Sequence, residues 1–189
     1  LSELSTQAAN LLAAHGIKKG DKGMLVLKRN YQFWYGIIGL IKLGAVGIPA
    51  THLLTTHDFT YRFKSADVKA IIATGDNPDI ETYVDEAEKE LGIKLEKFIA
   101  NGTKDGWINF DEEIRKQPVT MERVPTKCDE VMLIYFSSGT SGYPKMAAHC
   151  HKYALWHIQT ALWQNVQPDG LHLTISDTGW GKALWGKLF

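Results

Sequence analysis

The sequence predicts an α/β fold in which a mostly parallel sheet alternates with helices. Short apolar runs rich in strand-forming residues alternate with segments of helical spacing almost throughout the chain. No repeat of fixed period and no low-complexity tract interrupts this alternation. Such alternation is typical of βαβ units, which build parallel sheets. In open sheets of this kind, ligands bind beyond the carboxyl ends of the strands.

Each predicted element has its own local signal. The predicted strands are short apolar runs at residues 24–27, 45–50, 68–74, 95–100, 131–136 and 171–176, with an extended stretch at 146–149. The predicted helices carry an apolar stripe and cover 3–15, 31–43, a segment capped by Thr56 or Asp58, a segment after Asn77-Pro78, 109–117 and 153–166. Gly16, Gly44 and Gly92 follow three of these helices, as helix-ending glycines do. Residues 119–129 show the least pattern and are predicted to be a linker.

Composition and charge exclude several classes of protein. The 189 residues suit one large domain or two small ones. Hydrophobic residues make up 44% and charged residues 22% of the chain, as in globular proteins. The 21 basic and 21 acidic residues cancel, so a nucleic-acid partner is not indicated. No apolar run approaches the ~20 residues of a membrane helix, and no secretory signal opens the chain.

The cysteines and the chain ends carry further expectations. Cys128 and Cys150 form no spaced motif and no disulfide framework, which favours a reducing compartment, and we predict a cytoplasmic location. The chain begins at Leu1 without methionine and ends on an apolar run, so both ends are expected to be cut from something longer. Apolar surface meant for the remainder is then expected to favour self-association.

Residues 131–145 contain the strongest functional signal. An apolar run stops at a loop that offers four hydroxyls, two glycines and one cation. The loop residues are Ser137, Ser138, Gly139, Thr140, Ser141, Gly142, Tyr143, Pro144 and Lys145. Glycines let a phosphate approach the backbone, successive N–H groups form an anion-binding nest, and lysine supplies charge. The loop is therefore predicted to bind phosphate, the alternative being a polar turn with no ligand.

A Walker A loop does not fit this sequence. That motif requires G-x-x-x-x-G-K-S/T, in which the hydroxyl after lysine holds magnesium. Gly139 and Gly142 are too close together, and Tyr143-Pro144 separates glycine from lysine. Met146 stands where the hydroxyl is required. An ordinary P-loop NTPase is therefore disfavoured.

The loop instead resembles the phosphate loop of adenylate-forming enzymes, which include acyl-CoA synthetases, peptide-synthetase adenylation domains and luciferases. Their pattern is roughly (S/T)-(S/T)-G-(S/T)-(S/T)-G-x-P-K, and residues 137–145 match it at every defined position. Residues 40–49 and 54–62 look like two early segments of the family and are interpreted as scaffold. The segment 176–180, S-D-T-G-W, looks most like that of short- and medium-chain acyl-CoA synthetases.

The resemblance spans essentially all of residues 1–189, as the N-terminal part of the large AMP-binding domain. It implies that the parent enzyme activates a short- or medium-chain carboxylic acid with ATP and Mg²⁺, forming an acyl-adenylate that coenzyme A captures. The loop residues would hold the β- and γ-phosphates. No catalytic residue and no metal ligand of this chain is assigned. The magnesium ligand, the ribose and adenine sites and the small C-terminal domain are expected outside it, so the chain alone is expected to be inactive.

Some assignments stay open at this point. Trp180 would border the acyl or pantetheine tunnel, or else Trp180 and Trp185 are core aromatics at helical spacing. The rival to a synthetase is a truncated nucleotide-binding module that catalyses nothing. The stretch His149-Cys150-His151 is not expected to bind metal, because alternate side chains of an extended segment face opposite ways. His52 and His57 are interpreted as loop histidines without companions, and the acidic residues 85–88 and 111–113 as solvated helix faces.

Overall fold

The structure, a computed structural model, describes residues 1–137 and 142–188. The strands of this part of the chain are β1 (Lys22–Val26), β2 (Val46–Pro49), β3 (Val68–Thr74), β4 (Glu96–Ala100), β5 (Ile108–Asn109), β6 (Val131–Ser137) and β7 (Lys145–Cys150). The helices are α1 (Ser2–Ala14), α2 (Gln32–Leu43), α3 (Thr56–Ala66), α4 (Pro78–Leu91), α5 (Phe110–Arg115), α6 (Tyr153–Trp163) and α7 (Gly181–Trp185).

One sheet joins these strands in the order β5-β4-β3-β1-β2-β6-β7. Every pairing is parallel except the last, in which β7 runs antiparallel to β6. The predicted α/β class with a mostly parallel sheet is therefore confirmed. An antiparallel edge strand on an otherwise parallel sheet is common in such folds.

The helices cover both faces of the sheet. Helices α1, α2 and α5 pack together, and α3 packs against α4. Successive residues of β1 point to opposite faces, so Leu25 joins the core with α1 and α2, and Met24 joins the core with α3 and α4. Because β1 is followed by α2 on one face and β2 by α3 on the other, a crevice is expected where these two strands end.

Local capping explains several helix boundaries. Gly44 and Gly92 take left-handed φ angles of 71° and 62° directly after α2 and α4, as predicted. The cap of α3 is neither Thr56 nor Asp58, the two candidates that the sequence offers. Thr55 is the N-cap. Its backbone N–H and its hydroxyl both donate to the Asp58 carboxylate, at 3.0 and 2.9 Å. Asn77 caps α4 by accepting from the Asp79 N–H at 3.3 Å.

The predicted linker at 119–129 has no helix or strand, as expected, but it is fastened to the domain. The Asn10 side chain of α1 donates to the carbonyls of Pro118 and Thr120, at 2.8 and 3.0 Å. The Lys19 ammonium donates to the carbonyl of Pro125 at 2.6 Å. Residues 119–129 therefore lie against α1 and lead into β6. We call this segment the strap.

The stretch after β7 departs most from the sequence predictions. Helix α6 is shorter than predicted and has no buried residue. The strand predicted at 171–176 is wrong, since in the described part of the chain no neighbouring strand pairs with this extended segment. Burial alternates along this segment. Leu173 and Ile175 are exposed, whereas Thr174 between them is buried and donates to the Gly186 carbonyl. No helix among the described residues is long and apolar enough to cross a membrane.

Candidate functional site at the carboxyl edge of the sheet

The hairpin of β6 and β7 brings the two ends of the predicted phosphate loop together. Ser137, the last residue of β6, is paired in register with Lys145, the first residue of β7. The Ser137 hydroxyl lies 3.3 Å from the Lys145 carbonyl, to which it donates. Both side chains are exposed beyond the carboxyl end of a parallel strand, where ligands of such sheets bind.

Part of the predicted loop lies outside the described residues, namely Ser138, Gly139, Thr140 and Ser141. The described remainder begins at Gly142, whose φ of 106° is a conformation that only glycine adopts readily. Tyr143 follows with an exposed ring, and Pro144 leads into β7. The chain therefore makes a glycine-dependent turn immediately before the lysine.

Helix α3 braces the exit of this loop. The Tyr61 hydroxyl donates a hydrogen bond of 2.9 Å to the Pro144 carbonyl. The Tyr61 ring also stacks on Tyr143, with centroids 4.7 Å apart and an angle of 19° between the planes. His57 lies on the same helix, with its ring 6.0 Å from Tyr143. His57 is thus in α3, and its interpretation as a loop histidine is wrong.

Arg62 adds a cation to the same surface. Its guanidinium lies over the Phe136 ring, 5.1 Å from the centroid, and bonds the Asp58 carboxylate at 3.2 Å. Partial burial acts to raise the pKa of Asp58, but hydrogen bonds from Thr55 and the Arg62 charge outweigh it and lower that pKa. Residues 54–62 were interpreted as scaffold alone. The structure gives Tyr61 and Arg62 direct contacts with the strand and the loop of the candidate site.

The segment 176–180 occupies the crevice where β1 and β2 end. The Thr178 hydroxyl donates to the Lys28 carbonyl after β1. Gly179 packs so closely on the backbone of Ala50 and Thr51, after β2, that a Cβ atom there would overlap it. The resemblance placed this segment near the ligand, and the structure places it at the carboxyl edge beside the loop.

An electrostatic contact holds the start of this segment. The His52 Nδ1 lies 3.6 Å from the Asp177 carboxylate, too far for a hydrogen bond but close enough for charge attraction when the imidazole is protonated. The other Asp177 oxygen accepts from the Gly179 N–H at 2.9 Å. His52 therefore has a companion that sequence reasoning missed, because the two residues are far apart along the chain.

A cavity of about 220 Å³ lies between the loop exit and this segment. Its lining combines the end of β2, α3, the hairpin and the crevice segment: Pro49, Ala50, Thr51, Leu54, Arg62, Phe136, Pro144, Gly179 and Trp180. Trp180 is 62% exposed, so its interpretation as a core aromatic is wrong. Trp185 is half-buried and stacks on His157, with centroids 5.6 Å apart.

The stretch His149-Cys150-His151 lies at the end of β7, away from the loop. The His149 ring packs between Tyr135 and Tyr153, at centroid distances of 5.5 and 4.2 Å. Burial lowers the pKa of His149. Within residues 1–137 and 142–188, no three metal-ligating side chains are grouped as a metal site would require. Cys128 and Cys150 are free thiols.

Several acidic residues of the segments 85–88 and 111–113, interpreted from the sequence as solvated helix faces, form ion pairs or hydrogen bonds within the domain. Lys97 of β4 forms ion pairs with Asp85 and Glu88 of α4, at 2.8 and 2.5 Å. Asp111 accepts from the Asn101 N–H at 2.7 Å and from the buried Gln32 side chain at 3.0 Å. These contacts fasten helices to strand ends and lie apart from the phosphate loop.

The α/β sheet, the hairpin of β6 and β7 and the sequence of the loop that joins them fit the class of adenylate-forming enzymes. The family described as AMP-binding enzyme matches residues 1–185, and the chain belongs to it. The human protein "Acyl-coenzyme A synthetase ACSM2B, mitochondrial" is 38% identical over 192 residues, covering 100% of this chain and 33% of that protein. "4-hydroxybutyrate--CoA ligase 1" of Metallosphaera sedula is 33% identical over 191 residues, covering 100% and 32%.

Solved structures show the same fold. An acyl-CoA synthetase of Brucella canis superposes with a TM-score of 0.83 at 22% identity, covering 97% of this chain and 33% of that one. The anthranilate CoA ligase AuaEII, solved with anthranoyl-AMP, superposes with a TM-score of 0.74 at 25% identity, covering 86% and 30%. The chain spans about a third of the length of the relatives it matches.

Proposed function

We propose that this chain carries the ATP phosphate-binding part of an acyl-CoA synthetase that activates a short- or medium-chain carboxylic acid. Residues 1–189 form part of the large domain, and the small C-terminal domain lies outside them. The supporting observation is the register pair of Ser137 and Lys145, which joins a hydroxyl-rich loop to an exposed cation at the carboxyl edge of the sheet.

The loop residues contribute position and charge. The hydroxyls of Ser137, Ser138, Thr140 and Ser141 and the loop N–H groups bind the β- and γ-phosphates, and Lys145 offsets their charge. A carboxylate oxygen of the acid attacks the α-phosphorus, and the bond to the bridging oxygen of pyrophosphate breaks. The coenzyme A sulfur then attacks the acyl carbon and releases AMP. Positioning and charge neutralisation are the main protein contributions to such transfers.

The bracing of the loop supports this role. The contacts of Tyr61 with Pro144 and Tyr143 fix the chain on the side of the loop that leads to Lys145. A lysine at a fixed strand start loses less freedom when it binds a phosphate than one on a free loop does. The Arg62 guanidinium, which is paired with the Asp58 carboxylate, packs on the Phe136 ring on the same side.

Magnesium, when bound to ATP, supplies charge neutralisation at the phosphates. Magnesium that is bound to ATP needs only one or two protein carboxylates besides the phosphates and water. From the resemblance, we assign that carboxylate to residues outside this chain. Ribose and adenine contacts are assigned there as well, so the chain by itself holds only part of the nucleotide.

The cavity beside Trp180 is the proposed approach of the acyl group or of the pantetheine arm. Leu54, Phe136 and Trp180 give it apolar walls, and Arg62 gives it one cationic wall. The chain-length assignment rests on the resemblance of residues 176–180 to short- and medium-chain acyl-CoA synthetases. The relatives' names mention 4-hydroxybutyrate and the mitochondrion, and the cytoplasmic location predicted for this chain remains a proposal.

The test is an activity assay on the full-length protein that contains this chain. ATP, magnesium, coenzyme A and one carboxylic acid at a time, from acetate to dodecanoate, are supplied, and pyrophosphate and thioester are measured. We expect acid-dependent release of pyrophosphate, matched by thioester and greatest for short or medium chains. Binding of ATP without turnover for any acid would favour the rival non-catalytic module. Greatest turnover with the longest acid would contradict the chain-length assignment.

A further inference from the structure

A second cavity lies at the opposite edge of the sheet from the phosphate loop. It has a volume of about 500 Å³ and lies between α1, α2, the strap and the residue that follows β7. Its lining residues are Thr6, Ile41, Lys42, Val119, Thr120, Met121, Arg123, Val124, Thr126 and His151. We call it the amino-edge cavity. Strand β7 begins at Lys145 and ends one residue before His151. Six residues of extended chain span roughly 20 Å, which separates this cavity from Lys145.

The charges lining the amino-edge cavity all have one sign. Lys42 and Arg123 line it, and among the described residues no aspartate or glutamate does. The Lys42 ammonium donates to two neutral oxygens, the Ser2 carbonyl at 2.9 Å and the Thr6 hydroxyl at 2.8 Å. An ammonium has three donors, so one remains for a ligand. Across residues 1–137 and 142–188, the ion pairs involve neither Lys42 nor Arg123.

Half of the remaining lining residues are apolar. Ile41 of α2 lines the cavity together with Val119, Met121 and Val124 of the strap. Met121 and Val124 are partly buried against the core that includes α1 and α2, so these walls are held in place. The strap itself is fixed by the Asn10 side chain and its two carbonyl contacts. The cavity is therefore formed in the absence of a ligand, as small-molecule sites usually are.

We propose that the amino-edge cavity binds a small carboxylate with an apolar tail. Two cations without acidic partners favour an anionic head group, and a guanidinium matches the geometry of a carboxylate. The apolar walls favour a tail that leaves water, and the volume lies within the range of ligand sites. The site is separate from the phosphate loop, and its occupancy does not depend on the activity proposed above.

The test is photo-labelling of the full-length protein, without ATP, by a medium-chain carboxylate that carries a diazirine in its tail. Labelled peptides are mapped by mass spectrometry. We expect label on residues 119–126 and 41–42, reduced by octanoate and unaffected by equal concentrations of 1-octanol or acetate. If 1-octanol competed as well as octanoate, the proposed role of the cations would be wrong. If acetate competed as well as octanoate, the proposed role of the apolar walls would be wrong. Label confined to the carboxyl edge would overturn the proposal altogether.

Variants make the test specific. Arg123→Gln removes a cation that has no ion-pair partner within residues 1–137 and 142–188, and we expect it to raise the octanoate concentration for half-competition about three- to fivefold, as for ion pairs at open sites. Lys127→Gln, on the same segment but outside the cavity, is the matched control and leaves competition unchanged. Val124→Asp places a negative charge in the apolar wall and is expected to abolish labelling. Unchanged labelling in both Arg123→Gln and Val124→Asp, with unchanged melting temperatures, would contradict the site.

Discussion

The Tyr61 hydroxyl donates a hydrogen bond of 2.9 Å to the carbonyl of Pro144, across 83 positions of the chain. This contact ties α3 to the last turn of the phosphate loop, one residue before Lys145. The stacking of Tyr61 on Tyr143 holds the same turn from the side. A helix that resembles family scaffold therefore braces the proposed ATP site.

The Tyr61→Phe variant should weaken ATP binding while leaving the fold intact. Phenylalanine keeps the stacking on Tyr143 and loses only the hydrogen bond, so KM for ATP should rise about two- to tenfold. Steady-state kinetics of the full-length protein at saturating acid measure this. Tyr83→Phe, which removes the same hydroxyl from α4, is the control. Equal effects of the two variants on KM for ATP would show that the Pro144 contact has no special role.

The Gly179→Ala variant tests the crevice segment. A Cβ at this position would overlap the backbone of Ala50 and Thr51, and backbone cannot move aside cheaply. We expect a loss of about 1–3 kcal/mol of stability, as for overpacking, together with a raised KM for the acid. Gly181→Ala is the matched control, because its Cβ would lie 3.5 Å from the Tyr135 ring, an ordinary contact. If both variants melt like the unaltered protein, the close packing of Gly179 is refuted.

Stability should fall when the pH is lowered from about 7.5 to 5.5. Burial lowers the pKa of His149, and burial together with the nearby His149 lowers that of His157. The unfolded chain then binds more protons than the folded one just below the ordinary histidine pKa of about 6.5, so unfolding is favoured there. The loss begins near pH 6.5 and grows until the folded-state pKa values are reached. Melting temperatures across this range measure it.

The His149→Gln variant should flatten that pH dependence, and His57→Gln at an exposed position should not. The lowered pKa of Asp58 also makes stability fall in acid, but only below the ordinary aspartate range near pH 4, so the two effects separate. A melting temperature that stays constant from pH 7.5 to 5.5 in the unaltered protein would contradict the lowered pKa of the half-buried His149.

Residues 1–189 alone should form no measurable acyl-CoA. The loop is proposed to bind phosphates, but the proposed magnesium, ribose and adenine contacts lie elsewhere, and exposed ion pairs contribute little by themselves. Leu155, Trp156 and Trp163 of α6 are exposed, so self-association of the isolated chain is also expected. Pyrophosphate release by the purified 189-residue chain tests the expected lack of activity. Its sedimentation tests the expected self-association. Sustained turnover would place a complete active site within these residues.

The sequence was most informative where a local rule decides the structure. Gly44 and Gly92 end helices because left-handed conformations suit glycine, and alternating apolar runs predicted the strands of the parallel sheet. The strand predicted at 171–176 had the right alternation, but a strand requires a neighbour to complete its hydrogen bonds. No local pattern reports whether that neighbour is present.

Contacts between distant residues could not be predicted from the sequence. The pair of His52 and Asp177 is separated by most of the chain, and only the arrangement of β2 beside the crevice brings them to 3.6 Å. The roles of Tyr61 and Arg62 were missed for the same reason, since hydrogen bonding and stacking by a helix residue leave no spacing signature. A phosphate loop could be predicted at residues 137–145 because its chemistry is concentrated in one stretch of the sequence.

The most direct test of the proposed ATP site is the ATP dependence of the Lys145→Ala variant in the full-length protein, measured at saturating acid and coenzyme A. Removing one charge-assisted phosphate contact costs about 1.5–3 kcal/mol, so kcat/KM for ATP should fall by about one to two decades, with KM for the acid little changed. Lys152→Ala, an exposed lysine beyond β7, is the control. A tenfold or greater loss confined to ATP is the predicted result, and unchanged ATP dependence would contradict the assignment of residues 137–145 as the phosphate loop.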